Sequence, residues 1–200
     1  ESVRTAKTYA TEPVSVAPVA ANITATNNKA GVDDKVVVTG LVAGDVVNVY
    51  GAATGGTTIG TATVADGETT ATITIAQLGT TAGSVYVSVK STDKLESVRT
   101  LKAYDTEITP PAAAANIVVL NNDGASDIVR VTGLVAGDVV SVYDVATGGT
   151  AVGTATVADG KTSVNVTITQ LSVNAGKVYV TITKANKQES TRVVKDYIAE

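Results

Sequence analysis

VTGLVAGDVVNVYGAATGGTTIGTATVADGETTATITI, residues 38–75, consists of short alternating runs broken by turn residues. Val47 and Val49 alternate with Asn48 and Tyr50, and Ile73 and Ile75 alternate with Thr72 and Thr74. A period of two puts one set of side chains on each face of a strand. AGD at 43–45, TGG at 54–56 and ADG at 65–67 supply the turns between the runs. Further on, Val85, Val87 and Val89 alternate with Tyr86, Ser88 and Lys90, after a TAG turn at 81–83.

The same text then returns. VTGLVAGDVV at 38–47 recurs at 131–140, GTATVADG at 60–67 recurs at 153–160, and ATGGT at 53–57 recurs at 146–150, each 93 residues on. Such a period is too long for a solenoid repeat and fits one β-sandwich domain. Strands are expected near 22–27, 35–40, 45–50, 58–64, 70–76, 84–90 and 96–105, and again 93 to 94 residues later. Seven short strands with regular turns pack as two sheets. Residues 12–21 and 107–115 hold all four prolines and are expected to be stiff linkers.

A third element occurs three times: ESVRTAKTY at 1–9, ESVRTLKAY at 96–104 and ESTRVVKDY at 189–197. Two bodies need two closing strands, so one copy is spare. Closure by the copy that follows each body gives short hairpins, which are favoured. The division is then 1–12 as a closing-type strand belonging to a preceding repeat, 13–107 as the first repeat and 108–200 as the second. The spare copy fits a chain cut from a longer array, or a strand exchanged with a neighbouring molecule. A chain opening on Glu1 is expected to be a fragment or a processed form.

Composition narrows the chemistry. There is no Cys, which removes disulfides and thiolate metal sites, and no His, which removes the usual general base. Phe, Trp and Met are absent too, so the core must be Val, Ile, Leu and Ala with Tyr as its one aromatic. The formal net charge is -4, which disfavours nucleic acid and anionic membrane as partners. No apolar run is long enough to be a membrane-inserting helix.

Residues 38–75 resemble the immunoglobulin-like repeats of large bacterial surface proteins. The resemblance rests on a T-G segment (Thr39, Gly40), an A-G-D turn (residues 43–45), a V-x-V-Y strand (residues 47–50), a G-T-A strand (residues 60–62) and a D-G turn (Asp66, Gly67). It covers most of each body. It implies an all-β chain of two tandem immunoglobulin-like β-sandwich domains, about seven strands each. It also implies an extracellular, cell-surface structural role: spacer or scaffold in an adhesin stalk, surface array or filament, with neighbouring copies as partners.

Few residues invite chemistry. Ser and Thr are plentiful, but a nucleophile needs an activating base, and the acids sit mostly in turns that recur in both bodies. No enzyme is expected, and no organic cofactor. Calcium is the small ligand best matched by the loops NNKAGVDD (27–34) and NNDGASD (121–127). Asn27, Asp33 and Asp34, or Asn121, Asp123 and Asp127, offer oxygen ligands, although the same residues make ordinary turns. Asp45 and Asp138 are expected to cap the AGD turns. Tyr50, Tyr86 and Tyr104 recur as Tyr143, Tyr179 and Tyr197. A sheet shared by the third, sixth and seventh strands would set them in a row on its outer face, for cross-strand packing or for contact with a surface glycan or protein. Asn22 and Asn165 match the glycosylation pattern by chance. Lys102 and Lys195 on the last strands are candidate amine donors for an isopeptide crosslink.

Overall fold

A computed structural model describes residues 2–7 and 10–200. The chain divides into two compact units, Glu1–Thr106 and Glu107–Glu200. Each is a sandwich of a three-stranded and a four-stranded antiparallel sheet. In the first unit, β1 (Ile23–Thr26), β2 (Asp34–Thr39) and β5 (Thr70–Ile75) form one sheet in the order β1-β2-β5. The other, in the order β4-β3-β6-β7, holds β3 (Val46–Tyr50), β4 (Thr58–Thr63), β6 (Gly83–Lys90) and β7 (Thr100–Tyr104). In the second unit β8 (Ile117–Leu120), β9 (Asp127–Thr132) and β12 (Ser163–Ile168) make the three-stranded sheet. β10 (Val139–Tyr143), β11 (Gly153–Thr156), β13 (Gly176–Thr183) and β14 (Val193–Tyr197) make the four-stranded one, in the order β11-β10-β13-β14.

The alternation in the sequence becomes the two faces of each sheet. Val36, Val38, Val47, Val49, Val85, Val87, Ile23 and Ile73 close the first core, and Val129, Val131, Val140, Val142, Val178 and Val180 head the second. β-branched side chains suit this arrangement because their few rotamers interlock on a pleated surface. Gly60 lets β4 close down on the core: a Cβ there would lie 2.5 Å from Ile73 Cγ2.

The proline-bearing segments differ from the linker expectation, because each folds back onto its own unit. Val14 forms a parallel bridge with Leu95, and Ile108 forms the equivalent bridge with Gln188. Ser15 N–H donates to Leu95 O (2.9 Å), and Leu95 N–H donates to Pro13 O (2.8 Å). In the second unit Thr109 N–H donates to Gln188 O (2.9 Å), and Gln188 N–H donates to Glu107 O (2.8 Å). Proline forfeits a donor but keeps its carbonyl, and Pro13 uses it here, where Glu107 serves in the second unit.

In its second and third copies the thrice-repeated element is strand only in its second half, Thr100–Tyr104 and Val193–Tyr197. Residues 96–99 run extended beside β6 without ladder pairing, and β7 begins at Thr100. Ser97 supplies the reason. Its N–H donates to Val89 O (2.9 Å), while its Oγ accepts the Val89 N–H (3.0 Å) and donates to Val98 O (2.9 Å). One side chain thus replaces a ladder partner, and the chain bulges past it. Of the first copy, Glu1, Thr8 and Tyr9 lie outside the described residues. Residues 2–7 carry no strand and are exposed, with Val3 93% accessible.

Candidate functional site

The outer face of each four-stranded sheet carries a recurring polar assembly built by the Glu-Ser-x-Arg stretch. Register sets Tyr50 directly opposite Tyr86, with Asn48 opposite Ser88 on the same face. Glu96 reaches over them. Its Oε1 accepts hydrogen bonds from Tyr50 Oη (2.7 Å), Asn48 Nδ2 (3.1 Å) and Ser88 Oγ. Thr61 Oγ1 extends the network to Asn48 Oδ1 (2.9 Å). Arg99 then covers the Tyr50 ring at 3.3 Å from its centroid and donates to Ala52 O (2.8 Å) and Gly55 O (2.7 Å). A planar guanidinium can stack and donate at once, so a single side chain fixes the ring and the β3–β4 loop.

The second unit repeats the device. Glu189 Oε1 accepts from Tyr143 Oη (2.7 Å) and Thr181 Oγ1 (2.5 Å). Arg192 lies 3.6 Å from the Tyr143 centroid and donates to Val145 O (2.6 Å) and Gly148 O (2.7 Å). Partial burial alone would raise the Glu96 pKa. Hydrogen bonds from Ser88, Tyr50 and Asn48, together with the Arg99 charge, outweigh it and hold the carboxyl below its ordinary value. Burial, followed by the hydrogen bond to Glu96 and its charge, pushes the Tyr50 phenol upward, and Tyr143 is pushed up the same way beside Glu189.

The tyrosine row expected from the sequence is therefore a pair. Tyr50 with Tyr86, and Tyr143 with Tyr179, meet across strands on the outer face. Tyr104 and Tyr197 turn to the opposite face. They stand opposite Gly83 and Gly176 and pack against the cores. A Cβ on either glycine would lie 2.5 Å from the phenol oxygen. The ring fills the space the glycine leaves, which fixes the inward direction.

Four of the six residues considered for calcium, Asn27, Asp34, Asn121 and Asp127, tie loops together through their side chains. Asp34 is fully buried; its Oδ1 accepts from Asn28 N–H (2.6 Å) and its Oδ2 from Leu78 N–H (2.5 Å). Asp127 does the same with the N–H groups of Asn122 (2.7 Å) and Leu171. Asn27 Nδ2 donates to Gly79 O (2.7 Å) and Asp105 O (2.9 Å), and Asn121 Nδ2 to Ser172 O (3.0 Å) and Ile198 O (3.1 Å). Asp33 and Asp123 point to solvent. Among the described residues no three acidic side chains gather as a metal cluster.

Asp45 and Asp138 cap their turns, each accepting the N–H three residues earlier at 3.0 Å. Lys102 and Lys195 end on backbone carbonyls, Ala20 O and Ala114 O, each at 3.2 Å. Asn22 and Asn165 are exposed. Ser88 and Thr181, whose hydroxyls bond the Glu96 and Glu189 carboxylates, are buried.

No family model matches the chain, and no curated protein matches it in sequence. Similar solved structures include the BSP domain of a biofilm associated protein, at 19% identity and a TM-score of 0.33, over 90% of this chain and 29% of that one. The human OSCAR ligand-binding domain matches at 14% identity and a TM-score of 0.43, over 94% of this chain and 100% of that one. The D0-D1 domain of intimin matches at 16% identity and a TM-score of 0.28, over 88% of this chain and 97% of that one. The chain spans less than a third of the biofilm structure.

The Glu-Ser-x-Arg clasp was legible only as a repeated motif. Its signal is the constant separation of 46 residues between Tyr50 and Glu96 and between Tyr143 and Glu189.

Proposed function

We propose that this chain is a load-bearing repeat of an extracellular bacterial surface protein, a spacer or scaffold without catalytic activity. One observation carries the reading. In each unit the first segment pairs in parallel with the residue leading into the last strand, at Val14–Leu95 and Ile108–Gln188. Tension on the two ends of such a unit pulls the paired segments past each other. The bridging hydrogen bonds are then loaded together in shear instead of opening one at a time. Ser15 Oγ reinforces the bridge, donating to Leu95 O (2.8 Å) and accepting from Ser91 N–H (2.9 Å). Thr109 Oγ1 accepts from Lys184 N–H (3.0 Å) in the second unit.

Single-molecule stretching of the full chain tests this. Two unfolding events are expected, with Ser15→Ala lowering the force of one and Thr109→Ala lowering the other. Extension without resolvable force peaks would overturn the reading.

A second reading, strand exchange into a filament of identical chains, is favoured by residues 2–7. They repeat the clasp text yet stay exposed and outside any strand. Electron microscopy of the chain separates the readings: fibres favour exchange and isolated single particles favour the spacer. A glycan- or protein-binding role is less favoured, because Arg99 and Arg192 already occupy a face of Tyr50 and Tyr143.

A further inference from the structure

Asp45 and Asp138 hold the same place in the two units, and among the differences around them is one cationic side chain. Both carboxylates are buried, at 5% and 2% exposed. In the second unit a cation balances the charge: Lys184 Nζ lies 3.3 Å from Asp138 Oδ2. The corresponding position in the first unit is Ser91. Backbone contacts fix that correspondence, since Ser91 N–H donates to Ser15 Oγ (2.9 Å) as Lys184 N–H donates to Thr109 Oγ1 (3.0 Å). Among the described residues no salt bridge reaches Asp45. A cavity of 310 Å³ opens there instead, with Asp45 and Ser91 both in its wall.

A buried carboxylate without a counter-charge is costly, and its attraction for a cation is strengthened away from bulk water. Val16, Val19, Leu41 and Val42 give the cavity apolar walls, and Asn22 and Thr39 add polar atoms. A bare divalent ion takes several oxygen ligands, commonly with more than one carboxylate among them, and the lining offers one carboxylate. A cation on an alkyl stem fits better, because its methylenes can lie on the valines while its head meets the acid. In the second unit the Lys184 side chain already brings such a head to the equivalent carboxylate. We propose that the cavity beside Asp45 binds a primary alkylammonium group, in the place that the Lys184 side chain fills in the second unit. A small free amine and a lysine side chain of another polypeptide share this chemistry. Lys94 also lines the cavity, and its charge opposes the guest.

The test is titration of the full chain with n-butylammonium, followed by backbone amide NMR, with n-butanol as the uncharged control. Saturable shifts are expected at Val42, Asp45 and Ser91 with the amine and not with the alcohol. Ser91→Lys fills the cavity from within and should abolish them without lowering the melting temperature. Lys94→Ala should tighten binding. Lys184→Ser should add a second set of shifts at Val135 and Asp138. A lysine-bearing peptide that shifts the same amides assigns the guest to a polypeptide; failure of the peptide where butylammonium binds assigns it to small amines. No saturable shift with butylammonium, an equal response to butanol, or an unchanged response in Ser91→Lys would overturn the proposal.

Discussion

The guanidinium carbon of Arg99 lies 3.3 Å from the centroid of the Tyr50 ring, while the phenol of the same tyrosine donates to Glu96 at 2.7 Å. Two charged residues of one short motif therefore grip a single ring from its face and its edge. A partly desolvated cation–π contact is worth about 1 kcal/mol, and the carbonyl bonds add a similar amount. Arg99→Ala is expected to destabilise the first unit by about 2 kcal/mol in urea denaturation. It should also make the loop at residues 51–57 a preferred site of proteolysis. Arg99→Lys should rescue little, because an ammonium cannot stack flat and reach both Ala52 O and Gly55 O.

Glu96 gives the clasp a pH dependence with a definite sign. Its pKa is lowered in the folded chain from an ordinary value of 4.5. The folded state thus favours the ionised form, and the resulting stability is present above pH 4.5. It is lost as pH falls through the lower folded value. Tyr50 has the opposite sign. Its raised pKa gives stability that is full below pH 10.0 and is lost as pH rises through the folded value. Melting temperature measured against pH for the wild type and Glu96→Gln should show a gap that narrows below pH 4.5. A gap independent of pH would remove the electrostatic account.

Asp34 and Asp127 are expected to act as loop fasteners whether or not calcium is present. Each carboxylate accepts two backbone N–H groups, and Asp34→Ala strands both donors in a buried setting. The expected loss is roughly 2–6 kcal/mol, from a penalty of about 1–3 kcal/mol for each of the two unsatisfied groups. Addition of calcium or of a chelator should leave the melting midpoint unchanged. A midpoint that rises with calcium would make the loops at 27–34 and 121–127 a metal site.

The strands could be read from the sequence because Val and Ile alternate at a period of two wherever one face is buried. Val85, Val87 and Val89 mark β6 without further information. What escaped that reading depends on side chains that substitute for backbone. Ser97 replaces a ladder partner of Val89, so 96–99 looks like strand in composition and is not paired as one. Pro13 and Pro18 suggest a linker because proline stiffens extended backbone, yet their carbonyls accept from Leu95 N–H and Thr100 Oγ1. Tyr104 was placed with Tyr50 and Tyr86, but its face is set by register against Gly83, which no local pattern reveals.

That last contact yields the sharpest stability test. Gly83 lies opposite Tyr104, and a Cβ added to it would stand 2.5 Å from the phenol oxygen and 2.7 Å from Cζ. Its backbone is not in the left-handed region, so Gly83→Ala should gain about 0.5–1 kcal/mol from reduced chain entropy if space allowed. Space does not allow it, and displacing the ring disturbs its packing on the first core. Overpacking costs about 1–3 kcal/mol, so Gly83→Ala should be net destabilising. Tyr104→Ala removes the obstruction, so adding Gly83→Ala to it should be neutral or stabilising. A double-mutant cycle by urea denaturation reads this as a coupling between the two sites of about 1 kcal/mol or more. Additive effects would show that the ring does not rest on the glycine.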